Sequence, residues 1–422
     1  MHGVAGLAST LMPSVMQYKG RKFTFIGSSL LLAIGWFLAF IAMDIYTIIV
    51  SSVVLGLSSN CAAIINLVTV SEMLSPRYRS LCLTLLSVHQ TIGMVLVSIL
   101  GVCLNWRTVG LILCGGSLLA TLLPMVWPES PSWLAYKGKF EQCEQAFVWL
   151  RGTDEVDMKE LQALIAAQKV PKPNHNRSSF QRICRLIKRK DLYLPSIFMF
   201  LVLFNFYSGG GVSIYMYSKT IIEISTGDSK LAVVGYLIAV CTLLLGCGIS
   251  LVMIRFFDTK TVLTRSAFGS HFFLLICCLV SYLESIGLVP KDSYLFLYFL
   301  LAFKITCNSG FNSLSFALAM ELMPVKHRGV GGALFNIYTS LLYVATVKPF
   351  PFVITNLGIT YTFLIFAFTS FICTILIVIY VPETKNRTLQ EIEDYYNYGH
   401  FVSRNLSDAE VELPIISEKN NN

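Results

Sequence analysis

The chain has 422 residues, of which 55% are hydrophobic and only 13% charged, with a mean hydropathy of +0.66. A soluble domain carries about 25% charged residues, so a water-covered enzyme, a nucleic-acid binder and a disordered scaffold are all excluded. The net charge of +8 therefore reads as loop charge on a polytopic membrane protein, not as a footprint for nucleic acid.

A helix that crosses a bilayer needs about 20 mostly apolar residues. In chain order the sequence offers eleven such runs, at 2–16, 23–43, 47–70, 81–104, 107–127, 192–217, 231–254, 264–286, 293–320, 330–354 and 357–381. The first is short. The expected architecture is an all-α membrane protein with a first helix set in 1–127, a loop in 128–191, a second set in 192–381 and a tail in 382–422. Within the loop, Phe140, Cys143, Phe147 and Leu150 fall on one face of an amphipathic helix, and 155–168 carries a second such pattern. Of the 32 Lys and Arg residues, 26 lie on the side of the long loop and 4 on the other, which places the loop and the C-terminus in the cytosol. Eleven spans with an internal C-terminus leave Met1 outside, at the start of a hydrophobic helix. That awkward start leads to the expectation that one further span is missing before it. Ten of the 12 cysteines sit in apolar runs, without Cys-x-x-Cys or metal-ligand spacing, and read as small buried hydrophobes. No cofactor or metal site is expected.

Two short patterns occur twice. Glu72, Pro76 and Arg79 are echoed by Glu321, Pro324 and Arg328, each with an Arg seven residues after the Glu. Pro128-Glu129-Ser130 is echoed by Pro382-Glu383-Thr384, and both repeats are offset by about 250 residues. Duplicated halves of this kind are the signature of major facilitator transporters, whose solute site lies between the halves near the midplane. Carboxylates beside arginines at helix ends form charge-assisted bonds. Arg21, Glu72, Arg79, Glu129, Glu321, Arg328 and Glu383 are therefore the candidate gating network. Ordinary topology-setting charges are the plainer reading of any single motif, but the repetition favours the network.

Several motifs resemble the sugar porter family of that superfamily. Pro128-Glu129-Ser130-Pro131-Ser132-Trp133-Leu134 is similar to its PESPRWL, and Pro382-Glu383-Thr384-Lys385-Asn386-Arg387-Thr388 to its PETKGRT. Gly20-Arg21-Lys22 resembles the end of its DRxGRK loop. Asn105-Trp106-Arg107-Thr108, the stretch from Leu322 to Gly329 and Phe335-Asn336 resemble the insect facilitated trehalose transporter branch. The resemblance implies a fold of two six-helix halves with eleven spans present, and facilitative movement of a hexose or trehalose by alternating access. It also implies a monomer in the plasma membrane. The chain departs from the family at Gln17, Ser132 and Ser51-Ser52, and in the stretch from Arg255 to Lys260. It departs again at the seventh helix, where Phe206 to Val212 replaces QQLSGIN, and at the tenth, where Gly310 to Phe316 replaces GPGPIPW.

A sugar pocket needs donors and acceptors aimed at hydroxyls and an aromatic face for the ring. Gln90, Tyr207, Ser208, Asn308, Asn312, Phe316 and Asn336 are the candidate solute-binding residues, with Asn205, Ser313 and Ser315 behind them. The alternative is that these groups merely join helices by hydrogen bonds. Three glycines in mid-span, Gly209, Gly210 and Gly211, disfavour a regular helix and mark a gating hinge, or else close packing against a neighbour. Lys304 lies inside a span and could favour an anionic ligand. Lys348 is placed to snorkel. The competing functions are a carrier of another small organic solute, such as an anion, and a non-transporting sensor or inactive relative.

Overall fold

Backbone polar groups inside a bilayer must be satisfied within their own segment, so apolar runs of this length fold as helices. The computed structural model describes residues 5–74, 76–154, 158, 161–162, 164–166, 190–290, 294–323, 328–385 and 395–396, with the side chains of 71, 76–80, 190–191 and 328–329 outside that description. A 3-10 turn (Gly6–Leu11) leads into α1 (Met12–Lys19), α2 (Arg21–Ile41), α3 (Ile45–Met73), α4 (Pro76–Cys103) and α5 (Trp106–Leu122). Two short helices follow, α6 (Pro131–Tyr136) and α7 (Phe140–Arg151). The second set comprises α8 (Lys190–Ser208), α9 (Gly211–Met216), α10 (Ser218–Thr226), α11 (Ser229–Phe256) and α12 (Thr259–Ser285). It ends with α13 (Leu295–Thr306), α14 (Asn312–Glu321), α15 (Arg328–Val347) and α16 (Phe350–Tyr380).

Among the described residues, nine helical stretches are long and apolar enough to cross a membrane, against the eleven runs expected. The first expected run folds as the 3-10 turn followed by the 8-residue α1. The run at 293–320 is interrupted by a π-helical segment, Cys307–Phe311, where the backbone of Gly310 leaves the helical region. The run at 330–354 stops at Val347, just before Pro349, and the chain resumes as α16, which bends at Gly358.

Helix packing follows membrane logic, with small and polar residues inward. At 21 residues α2 spans about 31 Å, close to the hydrocarbon thickness. Its buried face carries Thr24, Ser28, Ala33 and Gly35, while Leu30, Ile34 and Phe37 face outward. Small residues let backbones approach. Leu55 of α3 fills the space above Gly35, and Ser51 Oγ donates to the Gly35 carbonyl at 2.9 Å. Ser51, a departure from the family pattern, thus joins α2 to α3. In the same way α5 packs on α2, α12 on α13 and α16, and α8 on α14, α15 and α16. The two sets meet where α4 lies on α11 and where the 3-10 turn lies on α15.

The loop helices have a small core of their own. Leu134 and Ala135 of α6 bury against Cys143, Ala146 and Phe147 of α7, with Leu161 beside them. On the expected amphipathic face Cys143 and Phe147 are buried and Phe140 and Leu150 half-buried. Much of the second pattern, in 155–168, lies outside the described residues.

Candidate functional site: two charge clamps and a crossing of broken helices

The duplicated motifs form two clamps with the same wiring. In the first, the chain turns from α1 into α2 at Gly20, whose φ of +97° is one that L side chains rarely adopt. The Glu129 carboxylate caps α2, accepting the N–H of Arg21 at 2.9 Å and of Lys22 at 3.1 Å. A Cβ at Gly20 would collide with that carboxylate, so glycine is needed twice over. From the same turn the Arg21 guanidinium reaches Glu72 at the end of α3. Nε lies 2.9 Å from Oε2 and Nη2 2.8 Å from Oε1, a bidentate pair with each side chain only 6% exposed. Ser130 Oγ adds a bond to Glu72 Oε2 at 2.8 Å, and the Trp133 indole ties α6 to the Gln17 carbonyl at 2.9 Å.

In the second clamp Glu383 accepts the N–H of Lys260 in the first turn of α12 at 3.0 Å, and those of Thr384 and Lys385 at the same distance. Thr384 Oγ1 donates to Glu321 Oε2 at the end of α14, at 2.7 Å. Each Pro-Glu-Ser/Thr motif therefore uses its carboxylate to cap one helix and its hydroxyl to hold the glutamate of another. Burial pushes the Glu383 carboxyl above the usual carboxylate range, against the pull of its backbone donors. The clamps differ at one position. Where α2 opens with Arg21, α12 opens with Thr259, whose hydroxyl is buried without a hydrogen-bond partner. The lost family residues suggest a depleted first clamp, yet that clamp holds the buried ion pair. The side chains of Arg79 and Arg328 lie outside the described residues. The bonds placed for Arg21, Glu72, Glu129, Glu321 and Glu383 each stay within one helix set.

The glycine triplet lies where two broken helices cross. α8 ends at Ser208, and Gly210 adopts a left-handed φ of +75° before α9 begins at Gly211. A Cβ on Gly209 would meet the Phe311 ring at 2.5 Å, one on Gly210 the Phe366 ring at 2.7 Å, and one on Gly211 the Asn312 amide at 2.8 Å. Chain break and close packing, alternatives in the sequence, thus coincide. Facing the break is the π-helical segment between α13 and α14.

Tyr207, Ser208, Asn308, Asn312 and Phe316 gather on these two broken helices. The Phe206 ring centroid lies 4.9 Å from that of Tyr207 and 4.7 Å from that of Phe316, which also packs on Phe335. Most of the polar candidates are bonded within the protein. Asn205 donates to Thr374 Oγ1 at 3.1 Å and accepts from Ser370 Oγ at 2.7 Å. Asn308 donates to the Lys304 carbonyl at 3.1 Å, Ser313 shares a 2.7 Å bond with Ser250, and Ser315 donates to the Phe311 carbonyl at 2.5 Å. Asn336 crosses between the sets to the Ser9 carbonyl at 2.9 Å. Asn312 keeps a buried Oδ1 without a hydrogen-bond partner, and Gln90 is exposed on α4.

Further bonds cross the seam at residues that the sequence motifs do not mark. Ser87 Oγ donates to the Ser313 carbonyl at 2.8 Å, Thr91 Oγ1 lies 3.2 Å from Cys247 Sγ, and Ser98 Oγ lies 2.8 Å from Tyr236 Oη. Their signal in the sequence is faint: positions 87, 91 and 98 share one face of α4.

Two helix sets with duplicated clamps, joined through a helical loop and crossed by broken helices, define a major facilitator fold. The chain superposes on the proton:xylose symporter XylE bound to 6-bromo-6-deoxy-D-glucose with a TM-score of 0.79, over 94% of this chain and 87% of that one, at 16% identity. On the inward-open form of XylE from E. coli the TM-score is 0.68, over 93% and 87% at 16% identity. The chain belongs to the Sugar (and other) transporter family, whose model matches residues 4–396. The facilitated trehalose transporter Tret1 of Drosophila virilis is 25% identical over 403 residues, and its counterpart in Bombyx mori 24% over 405. These alignments take in 92% and 93% of this chain but 42% and 77% of the respective relatives. The chain thus spans less than half the length of the Drosophila virilis relative.

Proposed function

We propose that the protein carries a sugar across the membrane by facilitative alternating access, rocking residues 1–127 against 192–381 about a site at the crossing of α8–α9 with α13–α14. The observation that carries this reading is the contrast between bonds within the sets and bonds between them. Within the first set, a buried bidentate ion pair and a carboxylate cap hold helices together. Bonds to charged groups are worth about 1.5–3 kcal/mol each. Among the described residues, single neutral bonds stand between the sets, Ser98 to Tyr236, Ser87 to Ser313 and Asn336 to Ser9, each worth about 0.6 kcal/mol inside a membrane. Two stiff bodies with a weak seam rock without unfolding.

In this reading the clamp face, the loop 128–191 and the tail are cytosolic, and the membrane is the plasma membrane. The clamps, with Arg79 and Arg328, brace the gate on that side, each within its own set, and Gly209 to Gly211 form the hinge. Tyr207, Ser208, Asn308, Asn312 and Phe316 face the solute when the seam opens, joined by Gln90 and Asn336 from either side. The protein acts as a monomer, and its partners are the solute and the lipid. Uptake into proteoliposomes tests the reading. Saturable hexose or trehalose flux supports it, and binding without flux points instead to a sensor.

A further inference from the structure

Lys304 is a charged side chain buried inside the helix bundle. It lies in the last turn of α13, three residues before the π-helical segment, and is only 3% exposed. Its Nζ donates to Ser218 Oγ at 2.9 Å and sits 5.6 Å above the centre of the Tyr215 ring. The Ser218 hydrogen is directed at the carbonyls of Ile214 and Tyr215, at 2.5 and 2.8 Å, so Ser218 serves the ammonium purely as an acceptor. An ammonium has three donors, and among the described residues this hydroxyl is the acceptor given to them. No ion pair between Lys304 and a carboxylate occurs among the described residues. A buried cation without an opposite charge is among the costliest placements in a bilayer.

The polar candidates at the crossing and on the seam are spent differently. Asn205, Asn336, Asn308, Ser313 and Ser315 direct hydrogen bonds at the protein itself. Unspent are the Lys304 charge and the Asn312 Oδ1, which has no hydrogen-bond partner. The two bracket α9: the Asn312 amide abuts Gly211 at its start, and Tyr215 and Ser218 flank Lys304 at its end. Asn308 is one turn from Lys304 and shares its helix face. The Tyr215 hydroxyl meets those of Ser98 and Tyr236, which places the cluster on the seam between the helix sets. A purely structural strut between α13 and α10 would not need a charge, since a neutral donor could bond Ser218 without the burial cost.

Building on the carrier reading, we propose that Lys304 selects a solute with a negatively charged group, so that the carried sugar is an acidic one. A carboxylate or phosphate oxygen supplies the missing acceptor and counter-charge together through charge-assisted bonds. A neutral sugar supplies only hydroxyls and leaves the Lys304 charge without a counter-charge.

The test measures binding and uptake of labelled D-glucose, D-glucuronate and D-glucose 6-phosphate by the full chain in liposomes, for the parent, Lys304→Met and Lys304→Arg. One anion is expected to bind about tenfold or more tighter than glucose. Lys304→Met should erase that preference and Lys304→Arg should retain part of it. Which anion binds tells carboxylate from phosphate. Anion binding untouched by Lys304→Met overturns the assignment. A parent that takes glucose and neither anion overturns the charge selection while leaving the carrier reading intact. Lys304-dependent anion binding without uptake supports the selection and removes the carrier reading. Binding of none of the three overturns the charge selection and leaves the carrier reading to trehalose uptake.

Discussion

Arg21 is at once the first residue of α2 and the cation of a buried ion pair, so one position fixes both a helix start and a helix-to-helix bond. Removing one partner of a buried pair leaves an uncompensated charge and costs about 3–5 kcal/mol. Arg21→Ala and Glu72→Gln should each lower the melting temperature of the detergent-solubilised protein by several degrees, whatever they do to transport. An unchanged melting temperature in both would reduce the pair to a surface contact. Glu383 calls for a different experiment, because burial holds its carboxyl above the usual carboxylate range. A carboxyl raised in the folded chain binds its proton more tightly there than when unfolded. Its contribution is fully present below the ordinary carboxylate pKa and is lost as pH rises through the raised value. Acidification through that window should therefore raise the stability of the parent relative to Glu383→Gln, which cannot titrate. Parallel melting curves across the window for the two proteins would mean that Glu383 titrates like a solvent-exposed carboxylate.

At the scale of elements, the break between α8 and α9 separates two kinds of glycine. Gly210 combines a φ of +75° with a Cβ position 2.7 Å from the Phe366 ring, so Gly210→Ala is strained in backbone and packing alike. It should cost about 1–3 kcal/mol and abolish uptake. Gly211→Ala meets chiefly the terminal atoms of the Asn312 amide, which can rotate away, and should leave stability within about 1 kcal/mol of the parent. Equal losses in the two variants, read by melting and uptake, would remove the break from the mechanism. These elements also show how far the sequence could be read. The nine long helices follow from hydropathy alone, and the clamps were visible because their carboxylates recur with the same neighbours. The interruption of α13 was not legible, because a π-helical turn changes the hydrogen-bond register without changing hydropathy. Nor were the destinations of the polar side chains. Lys304 meets Ser218 across 86 positions of chain, and Asn336 meets Ser9 across 327, distances over which composition and spacing carry no signal.

For the whole molecule, orientation and motion are the two properties to be tested. The acceptor patterns at Asn176, Asn386 and Asn405 lie outside the described residues, on the side the basic residues place in the cytosol, and should stay unglycosylated in cells. A glycosidase-sensitive shift mapped to any of them would invert the topology. Motion depends on the seam. Ser98 lies near the end of α4 away from the clamps, and its 2.8 Å bond to Tyr236 of α11 is a neutral contact between the sets. Removing a bond of about 0.6 kcal/mol should barely alter stability, yet in the proposed carrier it biases the equilibrium between closed and open seam. The double variant Ser98→Ala, Tyr236→Phe should therefore melt with the parent while its seam opens more often on the side away from the clamps. Spin labels at Leu104 and Ser229, which flank that end of the seam, report the change directly. The expected result is a larger long-distance population in the double variant. An unchanged distance distribution would show that α4 and α11 are held by their apolar packing, so that the two sets do not part there.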